Sequence, residues 1–297
     1  MSETAQRAQA LNTPAERPGR PAPADIAARR EGMAGAIAAG TWRTDPPPEE
    51  LTLDGVRVLR FRPRGPARGV VLHLHGGGFR QGCPEMIGPY AAALAERCAV
   101  EVVCPAYRLA PEHPFPAGLN DAAKAYRALR REGGGPLIVA GDSAGGGLAA
   151  SLTALVASQG DAPAALILLS AWLDLTVTAE SYAANAASDP LFSRESAEAA
   201  AELYLQGHSP HDPLASPLRA PLHAHPPTLV NFGEGEVLAD DSRAFHAALQ
   251  AAGATAELHP VAGMDHVAVT RGLTLPGAPE TFAAVTGFID RVLSAGR

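Results

Sequence analysis

The stretch PLIVAGDSAGGGLAA, residues 136–150, decides the reading of this chain. A short apolar run, Leu137 to Ala140, passes directly into Gly141-Asp142-Ser143-Ala144-Gly145 and then into a segment rich in Gly and Ala. The pattern predicts a buried strand, a sharp turn with Ser143 at its apex, and a helix over Ala144–Ser158. Such a turn needs small residues two positions either side of the serine, because side chains there would strike the neighbouring strand and helix. The strained turn lifts the serine hydroxyl clear of the sheet, and the helix N-terminus behind it favours negative charge. With glycine at 30 of 297 positions, a bare Gly-x-Ser-x-Gly arises by chance in about one such chain in ten. The motif therefore gains its weight from what surrounds it.

Strand and helix patterns alternate on both sides of it. Residues 51–63, LTLDGVRVLRFRP, read as an antiparallel hairpin turning at Asp54-Gly55. Further strands are expected at GVVLHLH, AVEVVC, ALILLSAW, PTLVNF and AELHPV. Helices are expected at Pro84–Arg97, Ala117–Glu132, Asp240–Ala252 and Pro279–Ser294. Short, almost wholly apolar strands separated by helices imply a mostly parallel sheet covered on both faces, an α/β fold. Residues 1 to about 24 read as a loose arm rich in Pro, Ala and Arg. Asp25 is the expected N-cap of a helix ending at Ala39, with Gly40 as its stop. Residues 1–45 thus form an arm and cap helix, and 46–297 the catalytic domain. Between Trp172 and Thr228 lie over fifty residues with one clear helix, Ser193–Leu205. That length inside a compact domain marks a lid or binding insertion, at about 176–212, and the N-terminal helix folded over it makes a two-part cap.

Composition narrows the functional classes. The chain is 46% hydrophobic and 19% charged with net charge −7, which argues against a nucleic-acid binder and a polybasic membrane anchor. No apolar run approaches the roughly 20 residues of a membrane-spanning helix, and no secretory leader is visible, so a cytoplasmic protein is expected. Cys83, Cys98 and Cys104 have no metal-ligand spacing, and the last two sit among apolar residues as inert thiols. Lys124, in a surface-like helical stretch, is the one lysine of the chain. That disfavours lysine bases and Schiff-base chemistry. No metal and no cofactor is called for.

Chemistry that uses Ser143 needs a base, an orienting carboxylate and donors for an oxyanion. After the strand GVVLHLH comes His75-Gly76-Gly77-Gly78-Phe79, a glycine loop able to turn N–H groups inward. Gly76 and Gly77, with Ala144, are the expected donors. A phosphate loop is the rival reading, but neither GxGxxG nor a following lysine is present. Of ten histidines, His266 falls in the loop after the last strand, where the order serine, acid, histidine puts the base. The acid is expected at Glu236, in GEGEVLADD. Glu234, Asp240 and Asp241 are its rivals, the last two read as capping the next helix.

HGGGF at 75–79, YRLAPEHPFPA at 107–117, GDSAGGGLA at 141–149, DPLASP at 212–217 and GMDHV at 263–267 together resemble the hormone-sensitive-lipase-like family of α/β-hydrolases. The resemblance spans about Val70 to the C-terminus. It implies the α/β-hydrolase fold with a helical cap, and cofactor-free hydrolysis of small acyl esters by a bacterial type of carboxylesterase. It also implies that Arg108, Glu112 and His113 brace the loop beneath the oxyanion hole, and that Asp142 is a structural hydrogen-bonder. The expected activity is serine carboxylesterase on small to medium acyl esters, with Phe79, Trp172, Leu191, Phe192 and Tyr204 as pocket candidates. An amidase or deacetylase on the same scaffold is the second reading, and a non-catalytic ligand receptor a third, disfavoured because such binders lose the base. The expected partner is a small-molecule ester, and a homodimer is compatible with this reading.

Overall fold

The computed structural model describes residues 10–223 and 225–295. Helix α1, Ala24–Ala39, ends where Gly40 turns left-handed at φ 75°. Its N-cap is Pro23, not Asp25; Asp25 lies in the first turn, where a negative charge suits the helix end. The preceding stretch is not loose over the residues described. Leu11 N–H donates to Ser158 Oγ at 3.0 Å, Glu16 pairs with Arg108 at 2.8 Å, and Arg17 reaches Leu205 O at 3.0 Å. These long-range polar contacts replace the apolar pattern that the arm lacks. The part of the loose-arm expectation that falls on residues 1–9 lies outside the described residues.

Strands β1 (Glu49–Leu53) and β2 (Val56–Phe61) form the expected hairpin, with Leu53 opposite Val56 and positive φ at both Asp54 and Gly55. That pair of dihedrals matches the twist of a two-residue hairpin loop. Then follow β3 (Val70–Leu74), a 3-10 turn at Pro84–Ile87, α2 (Gly88–Cys98), β4 (Glu101–Pro105), α3 (Ala117–Glu132), β5 (Leu137–Asp142) and α4 (Ala144–Ser158). The second half holds β6 (Ala165–Leu169), α5 (Ser181–Ala184), α6 (Arg194–Leu205), β7 (Thr228–Gly233), α7 (Ala239–Ala251), β8 (Ala256–Val261), α8 (Ala268–Arg271) and α9 (Ala278–Ala295). Sequence periodicity missed α5 and α8, each a single turn too short to show a period.

The eight strands run in the order β1-β2-β4-β3-β5-β6-β7-β8. The β1–β2 and β2–β4 pairs are antiparallel and every later pair is parallel. Two apolar cores cover the two faces. Leu72, Leu74 and Val139 point into one, with Leu119 and Tyr126 of α3, Leu148 and Leu152 of α4, and Phe245 of α7. Val71, Ile138 and Ile167 point into the other, with Leu94 of α2 and Phe288 and Ile289 of α9. This two-sided burial explains why the strands read as continuous apolar runs. Their carboxyl ends open toward one edge, where parallel sheets place their ligands. Cys98 and Cys104 are buried free thiols, and burial pushes Cys98 up to about 11. Among the described residues no helix is long and apolar enough to cross a membrane.

Candidate active site

Ser143 sits between the end of β5 and the start of α4, with φ 53° and ψ −124°. A non-glycine residue held there stores about 1–3 kcal/mol of strain. The turn closes because α4 lies against the neighbouring strand: a Cβ on Gly145 would come within 2.1 Å of Leu74 O. Across the edge, the loop after β8 brings His266 Nε2 to 2.9 Å from Ser143 Oγ. The loop after β7 brings Glu236 Oε2 to 2.7 Å from His266 Nδ1. The three residues that sequence singled out are therefore in one hydrogen-bonded chain, each from the carboxyl end of a different parallel strand.

Glu236 is 1% exposed, and its other oxygen is also engaged. Oε1 accepts the Gly233 N–H at 2.5 Å and the Ser170 hydroxyl at 2.7 Å. Three donors hold both oxygens of this buried carboxylate in place. Burial pulls His266 toward lower pKa, but the Glu236 hydrogen bond and charge outweigh it, and the net shift is upward from 6.5. The rivals lie elsewhere. Glu234 is exposed. Asp240 and Asp241 are not caps either, since Leu238 holds the N-cap position of α7. Asp240 accepts the Ser181 N–H at 2.9 Å. Asp241 Oδ2 accepts the N–H groups of Leu173 at 2.9 Å and Asp174 at 3.0 Å, and burial raises its pKa to about 7.

The glycine loop differs from expectation at one position. Gly76 N–H donates to Asp142 Oδ2 at 3.1 Å, so that donor is already engaged. A Cβ on Gly76 would lie 2.6 Å from the same oxygen, which is why glycine stands there. Among the described residues, the N–H groups of Gly77, Gly78 and Ala144 meet no protein acceptor, and Gly77 and Gly78 line the cavity in front of Ser143. Asp142 Oδ1 holds His73 Nε2 at 2.9 Å, so Asp142 ties the glycine loop to β3. The loop is further held by Tyr107, whose hydroxyl donates to His75 O at 2.6 Å, and by Ala110 N–H donating to Phe79 O at 2.9 Å.

Arg108 grips Asp121 at 2.8 Å and Glu16, away from that loop. Glu112 acts through Arg30, which pairs with it at 2.7 Å and also donates to Ala110 O and Arg80 O. His113 contributes its backbone N–H to Leu109 O. Arg30 and Tyr107 were not singled out in the sequence, because their partners lie 80 and 32 residues away.

The cavity before Ser143 has a volume of about 310 Å³. Leu191 and Phe192 are in its wall, and the Phe192 ring lies parallel to His266 at 5.8 Å. Phe79, Trp172 and Tyr204 are not in the wall. They are buried behind it, with Phe79 stacked on Tyr204 at 3.9 Å and Trp172 beside Phe79 at 5.7 Å. This stack joins the glycine loop to α6 as core, where apolar identity alone gave no direction. Sequence reading also missed Ser170 and Asp189. Asp189 accepts Val237 N–H through one oxygen and the Leu191 and Phe192 N–H groups through the other, each at 3.0 Å. It fastens the insertion to the Glu236 loop.

A serine, a histidine and a buried carboxylate in series at the carboxyl edge of a doubly covered parallel sheet form the arrangement used by serine hydrolases built on an α/β scaffold. The chain belongs to the α/β-hydrolase fold family, whose profile matches residues 71–270, and within it to the hormone-sensitive-lipase branch. It is 37% identical over 225 residues to an acetyl-hydrolase of Streptomyces hygroscopicus, covering 75% of each chain. It is 33% identical over 240 residues to a carboxylesterase of Mycobacterium tuberculosis, covering 76% of this chain and 74% of the relative. The crystal structure of an esterase from the bacterial hormone-sensitive lipase family superposes with a TM-score of 0.80 at 34% identity, over 92% of this chain and 100% of the other. The chain is a carboxylic ester hydrolase.

Proposed function

We propose that the protein hydrolyses small to medium acyl esters through Ser143, His266 and Glu236 by way of an acyl-enzyme. The observation that carries this is the unbroken series Glu236–His266–Ser143, with bonds of 2.7 and 2.9 Å. Neutral His266 takes the Ser143 proton on Nε2 as Oγ adds to the ester carbonyl. Glu236 keeps the ring proton on Nδ1 and stabilises the imidazolium that forms. The carbonyl oxygen, now negative, is bound by the N–H groups of Gly77, Gly78 and Ala144, with Gly78 in the place first assigned to Gly76. A preorganised donor of this kind is worth about 2.7–4 kcal/mol in the transition state. The intermediate collapses, the C–O bond to the alcohol breaks, and the imidazolium gives its proton to the leaving oxygen. Water then enters, loses a proton to His266, and releases the acid from Ser143 by the same steps in reverse.

The cavity volume of about 310 Å³ favours short acyl groups. Helix α6 and the N-terminal segment act as the two-part cap: Arg20 pairs with Glu202 at 2.8 Å, and Arg80, beside the glycine loop, donates to Ser196 at 3.0 Å. Three free thiols fit a reducing compartment, so the cytoplasm is the proposed location, and the protein works there on a small-molecule ester. A series of p-nitrophenyl esters from acetate to palmitate, run beside the matched anilides, tests the reading. Turnover should be highest on the short esters and lost on the longest. Anilides cleaved faster than their esters would make the enzyme an amidase instead.

A further inference from the structure

The cavity in front of Ser143 is lined by three arginines, Arg29 of α1, Arg80 beside the glycine loop and Arg271 at the end of α8. Asp142 is the one carboxylate in the same lining, and it is already bound to His73 and to Gly76 N–H. Among the described residues no carboxylate lies within ion-pair distance of any of the three guanidiniums, whereas Arg20, Arg30, Arg57, Arg60, Arg62 and Arg68 are all paired. Arg80 is half-buried, and its hydrogen-bond partner is the neutral hydroxyl of Ser196 at 3.0 Å. Burial and the nearby charge of Arg29 both press its pKa down, against a weaker pull from Asp25. A desolvated cation without a counter-ion is a cost that an anionic ligand removes. The whole chain carries net charge −7, so three arginines without carboxylate partners around one cavity stand against its overall sign.

We infer that the preferred substrates are esters that themselves carry a carboxylate, recognised by Arg80 with Arg29 and Arg271 at the mouth. A planar guanidinium binds a carboxylate through two parallel N–H···O bonds, so the charge is bound with direction as well as strength. Arg80 and Arg271 approach from different sides, one next to the glycine loop and the other through its bond to His266 O at 3.4 Å. The carboxylate can therefore belong to the acyl or to the alcohol part, and the test separates the two. This inference rests on the reading of the cavity as that of a Ser143-dependent esterase.

The experiment compares paired substrates with and without a carboxylate. On the acyl side, the mono-p-nitrophenyl ester of adipic acid is set against p-nitrophenyl hexanoate, which shares its leaving group. On the alcohol side, 4-acetoxybenzoate is set against its methyl ester, each corrected for its own uncatalysed rate. At least one charged substrate should have the higher kcat/KM, and raising KCl to 0.5 M should lower that preference. Arg80→Gln should cut the charged-to-neutral ratio of kcat/KM by about tenfold or more, mostly through KM, as expected for the loss of a charge-assisted pair. Arg29→Gln and Arg271→Gln, both exposed, should cut it by smaller factors. A wild-type ratio at or below one on both sides overturns the inference, as does a ratio that none of the three variants changes. Equal loss on charged and neutral esters in Arg80→Gln would mean a purely structural arginine. If the neutral esters were hydrolysed without Ser143, the esterase reading itself would fail, and that result is distinct from the others.

Discussion

Replacing Glu236 by glutamine keeps the size of the side chain and removes one acceptor and the charge. The carboxylate now serves three donors: Oε2 faces His266 Nδ1 at 2.7 Å, while Oε1 takes Gly233 N–H at 2.5 Å and the Ser170 hydroxyl at 2.7 Å. A glutamine has one acceptor oxygen and one donor NH2. The Gly233 N–H is fixed in the backbone, so the amide oxygen is drawn to that side and the NH2 turns to His266. The ring must then accept on Nδ1 and carry its proton on Nε2, pointing at Ser143 Oγ 2.9 Å away. A histidine in that tautomer cannot take the serine proton. The opposite placement sets NH2 against N–H in a buried site and fares no better. In the general serine–histidine–carboxylate template the amide costs about 10⁴ in turnover, or about 5.5 kcal/mol. Glu236→Gln should therefore lose at least about a hundredfold in kcat on p-nitrophenyl butyrate, with the fold intact by circular dichroism. Turnover within about tenfold of wild type would refute the argument from tautomer and charge.

With neutral His266 as the proposed base and its pKa raised above 6.5, the acid limb of kcat/KM should lie above that value. In Glu236→Gln the limb of the residual activity should move downward, since the Glu236 hydrogen bond and charge are lost while burial stays, and Asp189 and Asp142 pull upward less strongly; an unmoved limb would contradict this. Trp42 stands between the catalytic cavity and an adjoining apolar cleft of about 190 Å³. Trp42→Ala should join the two and raise the ratio of long-chain to short-chain ester hydrolysis; an unchanged chain-length profile would count against a shared wall. Asp241 has its pKa raised from 3.8 to about 7, so the stability it contributes is complete below about pH 4 and is lost as pH rises through 7. Asp241→Asn keeps an oxygen for both Leu173 and Asp174 and removes the buried charge. Its Tm should therefore exceed that of wild type above pH 7, with roughly 4 kcal/mol as the ceiling, and the two should converge near pH 4. A lower Tm at every pH would show that the charge itself is needed.

Much of this arrangement could be read from local sequence. The turn at Asp54-Gly55, the apolar strands and the Gly-x-Ser-x-Gly apex are each set by neighbours within a few residues, and each is where periodicity put it. His266 was singled out by its place after the last strand and Glu236 by its place in GEGEVLADD. What could not be read depends on partners far along the chain. Which glycine N–H is free is decided by Asp142, 66 residues from Gly76. Whether an aromatic side chain lines the cavity or fills the core depends on the packing of α6, which put Tyr204 behind Phe79 and left Phe192 in the wall. The N-terminal segment has no apolar period, and its anchoring by Glu16, Arg17 and Arg20 is a matter of ion pairs and hydrogen bonds across 92 to 188 residues. Asp240 and Asp241 carried the composition of a helix cap, yet the chain bends at Leu238 and turns both toward other loops.

The proposed mechanism requires Ser143 Oγ to become covalently bound to the substrate's acyl group. Diethyl p-nitrophenyl phosphate tests it directly, because Oγ attack on phosphorus releases p-nitrophenolate and leaves a stable diethylphosphoryl ester. About one equivalent of nitrophenolate per chain should be released, with a diethylphosphoryl mass on the peptide that holds Ser143 and neither labelling nor ester turnover in Ser143→Ala. The label on any other residue, or a folded Ser143→Ala that keeps about a tenth of wild-type turnover, would contradict it.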